Sequence, residues 1–207
     1  MSAEERLQAI RAQVQQCSAC PLSAGRTLAV PGEGPASSRV MFIGEGPGYH
    51  EDQQGKPFVG QAGKFLDELL ACAGLSRAEV FITNVVKCRP PSNRDPEPEE
   101  LKACDAYLNA QIEALNPPVI VTLGRFSMAK FVSGGKISQI HGRPHPMDGR
   151  VVVTMYHPAA ALHQPDLKKT LMEDFARIKQ LLRQTETPPA APPDPKKETG
   201  PEQLSLF

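Results

Sequence analysis

The sequence holds five cysteines, a glycine-rich acidic loop, and polar residues where apolar runs end. Cys17 and Cys20 form a C-x2-C pair in CSAC, Cys88 follows an apolar run, and Cys104 lies 16 positions further on. Two thiolates three positions apart can chelate one centre, and two more from a distant segment complete a four-sulfur site. Zinc and a [4Fe–4S] cluster both accept such a set. The spacing does not choose between them, because a second C-x2-C knuckle is missing. Four unrelated buried thiols are the plainer alternative, but the turn-rich surroundings of Cys17, Cys20 and Cys88, such as CRPPSNRDP, favour a metal site. Cys72 falls in the apolar face of a helical pattern and is expected in the core.

A second set surrounds the loop GEGPGYHED. Gly44 and Gly46 let backbone approach a ligand closely, and Glu45 and Glu51 supply carboxylates. A tight strand-to-loop turn with solvated acids would look the same. Phe58, between Pro57 and the Val59-Gly60 pair, suits either a core position or a stack on a flat ligand. Asn84 ends the run FITN; its amide donates and accepts at once, which suits reading a base edge as well as making a turn. His157 ends VVVTMYH, where an imidazole can stabilise a developing anion.

The elements that position these groups follow from periodicity. RVMFIG, EVFITNVV, PVIVTLG and RVVVTMYH are short, nearly continuous apolar runs, as strands buried on both faces of a parallel sheet require. Helical patterns alternate with them. GQAGKFLDELLACAG puts Phe65, Leu66, Leu69, Leu70 and Ala73 on one face and stops at Gly74; EPEELKACDAYLNAQIEAL begins with acids and ends before Pro117; LKKTLMEDFARIKQLLRQ is amphipathic. The expected fold is α/β, a three-layer sandwich around a mainly parallel four-stranded sheet, with ligands beyond the carboxyl ends of the strands. That rule points to Gly44–Glu51, Asn84–Arg89, Gly124–Arg125 and His157–Leu162.

The 207 residues suit one domain, at 1–184, followed by a Pro-rich linker of disordered type at 185–201 and a tail at 202–207. With 23 basic and 23 acidic residues, any nucleic-acid surface must be a local patch. No apolar stretch is long enough for a membrane span. The charged start MSAEERLQAI lacks a signal core and points to the cytoplasm, where disulfides are disfavoured.

Taken as an ordered set, GEGPGYHED, GKPFVG, TN, MYHPAA and the four cysteines resemble the uracil-DNA glycosylase superfamily, and most closely its iron–sulfur family 4, over roughly residues 1–182. The resemblance implies the glycosylase-like α/β fold and a [4Fe–4S] cluster on Cys17, Cys20, Cys88 and Cys104. It implies hydrolysis of the N-glycosidic bond of uracil in DNA, leaving an abasic site. Phe58 is similar to the aromatic that stacks on uracil, and Asn84 to the amide that reads its polar edge. Glu51 is similar to the group that crowds C5 and excludes thymine, and His157 to the imidazole near uracil O2. Glu45 is similar to the group that positions water. The loop after His157 offers a wedge at Leu162 and phosphate contacts at Lys168 and Lys169, against an ordinary helix entry with solvated lysines. In the tail, Gln203, Leu204, Leu206 and Phe207 resemble the Q-L-[SD]-L-F peptide by which bacterial repair proteins dock on the DNA polymerase sliding clamp. A monomer at the bacterial nucleoid is the implied setting. Two other classes compete: a uracil-DNA-binding protein without turnover, and an iron–sulfur redox or DNA-binding module. The first would use a histidine in the region KCRPPSNRDPEPEELKAC, which has none. The second has no need of Asn84, Phe58 and His157 at strand ends.

Overall fold

The computed structural model describes residues 1–185 except 133 and 163. Its chain order is α1 (Ala3–Gln15), α2 (Leu22–Gly25), β1 (Val40–Gly44), α3 (Tyr49–Gln54), α4 (Gln61–Cys72), β2 (Phe81–Asn84), α5 (Pro98–Leu115) and β3 (Val119–Leu123). It continues with α6 (Arg125–Phe131), α7 (Ile137–Ile140), β4 (Pro144–Met147), β5 (Arg150–Met155), α8 (Pro158–Ala161), α9 (Pro165–Ala176) and α10 (Ile178–Gln184).

The four apolar runs form the parallel strands β1, β2, β3 and β5. The described sheet has five strands, not four, in the order β2-β1-β3-β5-β4. The added strand, β4, pairs antiparallel with β5, His145 opposite Val152. Its sequence PHPM hides it: two prolines and alternating exposed residues do not read as a buried strand, yet an edge strand tolerates both. Val40, Phe42, Val121, Val153 and Met155 point to one face, where Leu66, Leu69, Leu171 and Phe175 of α4 and α9 cover them. Met41, Ile43, Ile120 and Val152 point to the other, against Leu108 and Ile112 of α5. Both faces are dry, which is why the strands carry no polar alternation. The last helical pattern is broken at Arg177 into α9 and α10.

Cys72 is exposed, contrary to the expected core position. The stripe of α4 is centred among Phe65, Leu66, Leu69, Leu70 and Ala73; at 3.6 residues per turn, Cys72 falls roughly 90° from that centre.

Strand order fixes where a ligand can enter. The chain leaves β1 towards α4 on one face and leaves β3 towards α6 on the other. The crevice between adjacent strand ends whose connections diverge is the switch point of an open α/β sheet. It lies here between Gly44 and Leu123.

Candidate active site

A cavity of about 300 Å³ opens beyond the carboxyl ends of the strands near that point, lined among others by Glu45, Glu51, Phe58, Asn84, Asn93 and His157. The strand ends β1, β2 and β5 therefore deliver the predicted groups to one place.

Gly44, next to the lining residue Glu45, packs against two others, Asn84 and Phe58. A Cβ there would lie 2.3 Å from Asn84 Oδ1 and 2.6 Å from the Phe58 ring, so any larger residue would displace both. Asn84 is fully buried, and its Oδ1 has no hydrogen-bond partner among the described residues. A buried acceptor left unpartnered costs about 1–3 kcal/mol unless a ligand supplies a donor. Phe58 is buried, its ring facing that of His157 at 5.6 Å between centroids.

The Phe58 turn is strained and held from both sides. Phe58 has φ of +53°, uncommon for an aromatic residue. On one side Glu51 Oε1 accepts the backbone N–H groups of Val59 and Gly60, both at 2.8 Å. On the other, the Arg77 guanidinium donates to the carbonyls of Pro57 and Phe58. Beneath it lies Gly63, where a Cβ would stand 1.9 Å from the Phe58 carbonyl oxygen. Glu51 lines the cavity and also anchors the turn that carries the aromatic ring.

His157 caps α8. Its Nδ1 accepts the N–H of Ala159 at 3.1 Å, so the neutral ring carries its proton on Nε2. Burial pushes the imidazole down to about 4, the nearby Glu51 carboxylate opposing weakly. At neutral pH it is an uncharged donor. Glu45 reaches across the switch point: its Oε1 accepts from Phe126 N at 3.4 Å, and Gly124 leaves room for it, since a Cβ there would be 2.3 Å from that oxygen. Burial raises the Glu45 carboxyl above its ordinary value, with the Phe126 and Arg125 amides pulling the other way.

The sequence pointed to the Asn84–Arg89 segment but not to its continuation. Asn93, Arg94, Asp95 and Pro96 close the cavity wall. Ser92 and Asn93 both have positive φ, and Arg89 Nε donates to Asn93 Oδ1 at 2.8 Å. The PPSN composition was the available signal, since Asn tolerates such backbone. Leu162 is exposed just beyond α8. Lys168 is engaged by its own domain, pairing with Glu68 at 3.0 Å and lying over the Phe65 ring, whereas Lys169 is exposed near Glu173.

The four predicted ligand thiols gather on the far side of β2, under α1. Cys88 and Cys104 are buried in one small apolar cluster, with Cys20 packed against it. Cys17 lies beside the Tyr107 hydroxyl and helps push that phenol up to about 12. Burial raises Cys104 to about 11, with the Lys87 backbone amide, Cys88 and Cys20 all close enough to act on it. Arg26 Nη1 donates to Cys88 Sγ at 3.2 Å. Among the described residues no three His, Cys, Asp or Glu side chains converge tightly enough to enclose an ion. The fit rests on the donor set: four thiols in one neighbourhood, two of them buried, with Arg26 beside them to balance thiolate charge.

Comparison with known proteins bears on this arrangement. The family model described as the Uracil DNA glycosylase superfamily matches residues 31–180. The chain belongs to that superfamily. It is 45% identical over 185 residues to the type-4 uracil-DNA glycosylase of Thermotoga maritima, covering 87% of this chain and 96% of that protein. The type-4 uracil-DNA glycosylase of Sulfurisphaera tokodaii is 46% identical over 86% of this chain and 85% of its own length. A type-5 enzyme from Thermus thermophilus is further away, at 34% over 62% of this chain and 68% of its own. With several such relatives over most of its length, the chain is a glycosylase. No described helix is long and apolar enough to cross a membrane. Residues 186–207, with Gln203, Leu204, Leu206 and Phe207, lie outside the described residues.

Proposed function

We propose that this glycosylase excises uracil from DNA by hydrolysing its N-glycosidic bond. The observation that carries the proposal is the partnerless Asn84 Oδ1, buried beside the Phe58 ring at the floor of the cavity. Uracil offers N3–H as a donor and O4 as an acceptor on adjacent positions, and one amide meets both. A base within a duplex cannot reach this depth, so the nucleotide flips out of the stack and enters between Phe58 and the Pro47 wall.

The C1′–N1 bond breaks with oxocarbenium character on the sugar. The bonding pair passes to uracil N1 and spreads to O2. The neutral His157 ring donates its Nε2 proton as a hydrogen bond to that oxygen; a positioned donor of this kind is worth about 3–4 kcal/mol. Water adds to C1′, its proton goes to the Glu45 carboxylate, and an abasic site remains. Glu45 suits this task because burial raises its proton affinity. Glu51 limits room near C5 and holds the Phe58 turn.

Cys17, Cys20, Cys88 and Cys104 would hold a [4Fe–4S] cluster. When bound, the cluster supplies four strong metal–thiolate bonds that tie the N-terminal segment to α5 and to the end of β2. Leu162 acts as the wedge at the gap left by the flipped base, and Lys168 and Lys169 meet phosphates. Beyond the domain, the tail Gln203, Leu204, Leu206 and Phe207 docks on a bacterial sliding clamp. The roughly 18 residues between this tail and the domain would let a monomer scan DNA while tethered. The setting is the bacterial cytoplasm, at the nucleoid.

Single-stranded uracil-containing oligonucleotide, incubated with protein and then with alkali, tests the central reading. Cleavage is expected from the native chain and loss of most of it from Asn84→Ala with the fold retained. Near-normal turnover by that variant would refute the assignment. For the tail, a chain ending at Pro201 is expected to lose clamp binding in titration and to keep excision; equal binding by both chains would exclude the tail.

A further inference from the structure

Lys87 is fully buried, and the mechanism does not use it. Its amino group makes three hydrogen bonds: to Thr83 Oγ1 at 2.6 Å, to the Asn84 carbonyl at 2.8 Å and to Gln111 Oε1 at 2.7 Å. Both side-chain partners turn to the same further group, Thr83 Oγ1 donating to the Pro31 carbonyl at 2.9 Å and Gln111 Nε2 at 2.6 Å. The Lys87 carbonyl takes the Val30 N–H at 2.7 Å. One amino group thus joins the end of β2, the C-terminal half of α5 and the loop at 30–31. Three acceptors surround the Lys87 nitrogen, and Lys87 is followed directly by Cys88.

We infer that Lys87 is a positioning residue: it sets the direction of the Asn84 amide towards the base. This rests on the reading of Asn84 as the group that reads uracil. The physical argument is local. The Asn84 Oδ1 accepts no hydrogen bond from any described residue. Its orientation therefore depends on its backbone, and the Asn84 carbonyl is held by Lys87. A buried carbonyl stripped of that donor rotates towards another one, and the amide turns with it. A displacement of about 1 Å at a recognition group costs on the order of 100-fold in rate.

The test is Lys87→Met in the full chain prepared without air, which keeps an unbranched side chain one atom shorter and removes its donors. Three quantities are read against the native chain and Asn84→Ala: iron content, inhibition by free uracil, and binding of DNA carrying a stable abasic-site analogue. Expected for Lys87→Met is native iron content, about tenfold weaker inhibition by uracil and unchanged binding of abasic-site DNA. General damage to the fold would weaken both affinities together. Uracil inhibition within twofold of native in Lys87→Met, while Asn84→Ala loses it, overturns the role of Lys87 alone. Native inhibition in Asn84→Ala overturns the reading of Asn84, and this inference with it. If Lys87→Met does not accumulate or loses its iron, Gln111→Leu decides. It removes one anchor of the amino group, with a threefold or greater loss of uracil affinity expected at constant abasic-site binding, and native uracil affinity overturns the inference.

Discussion

Gly63→Ala sets two effects of opposite sign against each other. Gly63 lies within α4, where alanine gains roughly 0.8–1 kcal/mol of helix propensity. Its new Cβ would stand 1.9 Å from the Phe58 carbonyl oxygen and 2.2 Å from the carbonyl carbon. Ordinary contact needs well over 3 Å, so the Phe58 turn must retreat by more than 1 Å. Overpacking of this kind costs about 1–3 kcal/mol, so net stability should change by no more than about 2 kcal/mol. The retreat breaks the alignment of the Phe58 carbonyl with Arg77 and moves the stacking ring. Excision should then fall about 100-fold in kcat/KM, while thermal unfolding and binding of abasic-site DNA stay near native. Single-turnover assays on a uracil oligonucleotide, alongside calorimetry, measure both. Activity within threefold of native would show that the turn is soft and that its strained geometry does not position the ring.

The pH profile of kcat/KM should show no step from His157 near pH 6.5, because that ring stays neutral down to about 4. Glu45, raised above its ordinary value, takes its proton first as pH drops, so Glu45→Gln should remove the acid limb and leave a lower plateau. Stability should also fall as pH drops from about 6.5 towards 4, since the unfolded chain binds a proton at His157 that the folded chain refuses; His157→Asn should lessen that slope in urea titrations. Purified without air, the native chain should be brown, and alanine at Cys17, Cys20, Cys88 or Cys104 should remove the visible absorbance while Cys72→Ala keeps it. Colourless protein with stoichiometric zinc would overturn the cluster assignment.

Much of the fold and the cavity was legible in the sequence because it is local. Four parallel strands announce themselves as apolar runs, since burial on both faces leaves no polar position. Gly44, Glu45, Asn84 and His157 are visible because each sits where such a run ends. What escaped depends on packing between distant segments. The edge strand β4 pairs on one side alone and so carries prolines without penalty. Arg77 matters because it meets the Phe58 carbonyl, and Lys87 because Thr83 and Gln111 converge on it; neither carries a local mark. The placement of Cys72 turned on a phase of about 90° around a helix, finer than a stripe of apolar letters resolves. The helix α1 does carry a local sign, the reciprocal Ser2–Glu5 capping box.

The distribution of the four thiols along the chain has a consequence for how the protein is made. Cys17 and Cys20 leave the ribosome early, whereas Cys104 sits in the middle of α5, and α1 can seat itself only once that helix exists. At about 5–20 residues per second the first pair waits on the order of ten seconds for its partners. During that interval two exposed thiols in a C-x2-C arrangement stand ready for stray zinc or an oxidant. On the proposed ligand assignment, iron loading is then a race fixed by gene order, and the yield of coloured protein should depend on translation speed between codons 20 and 104 as well as on iron supply.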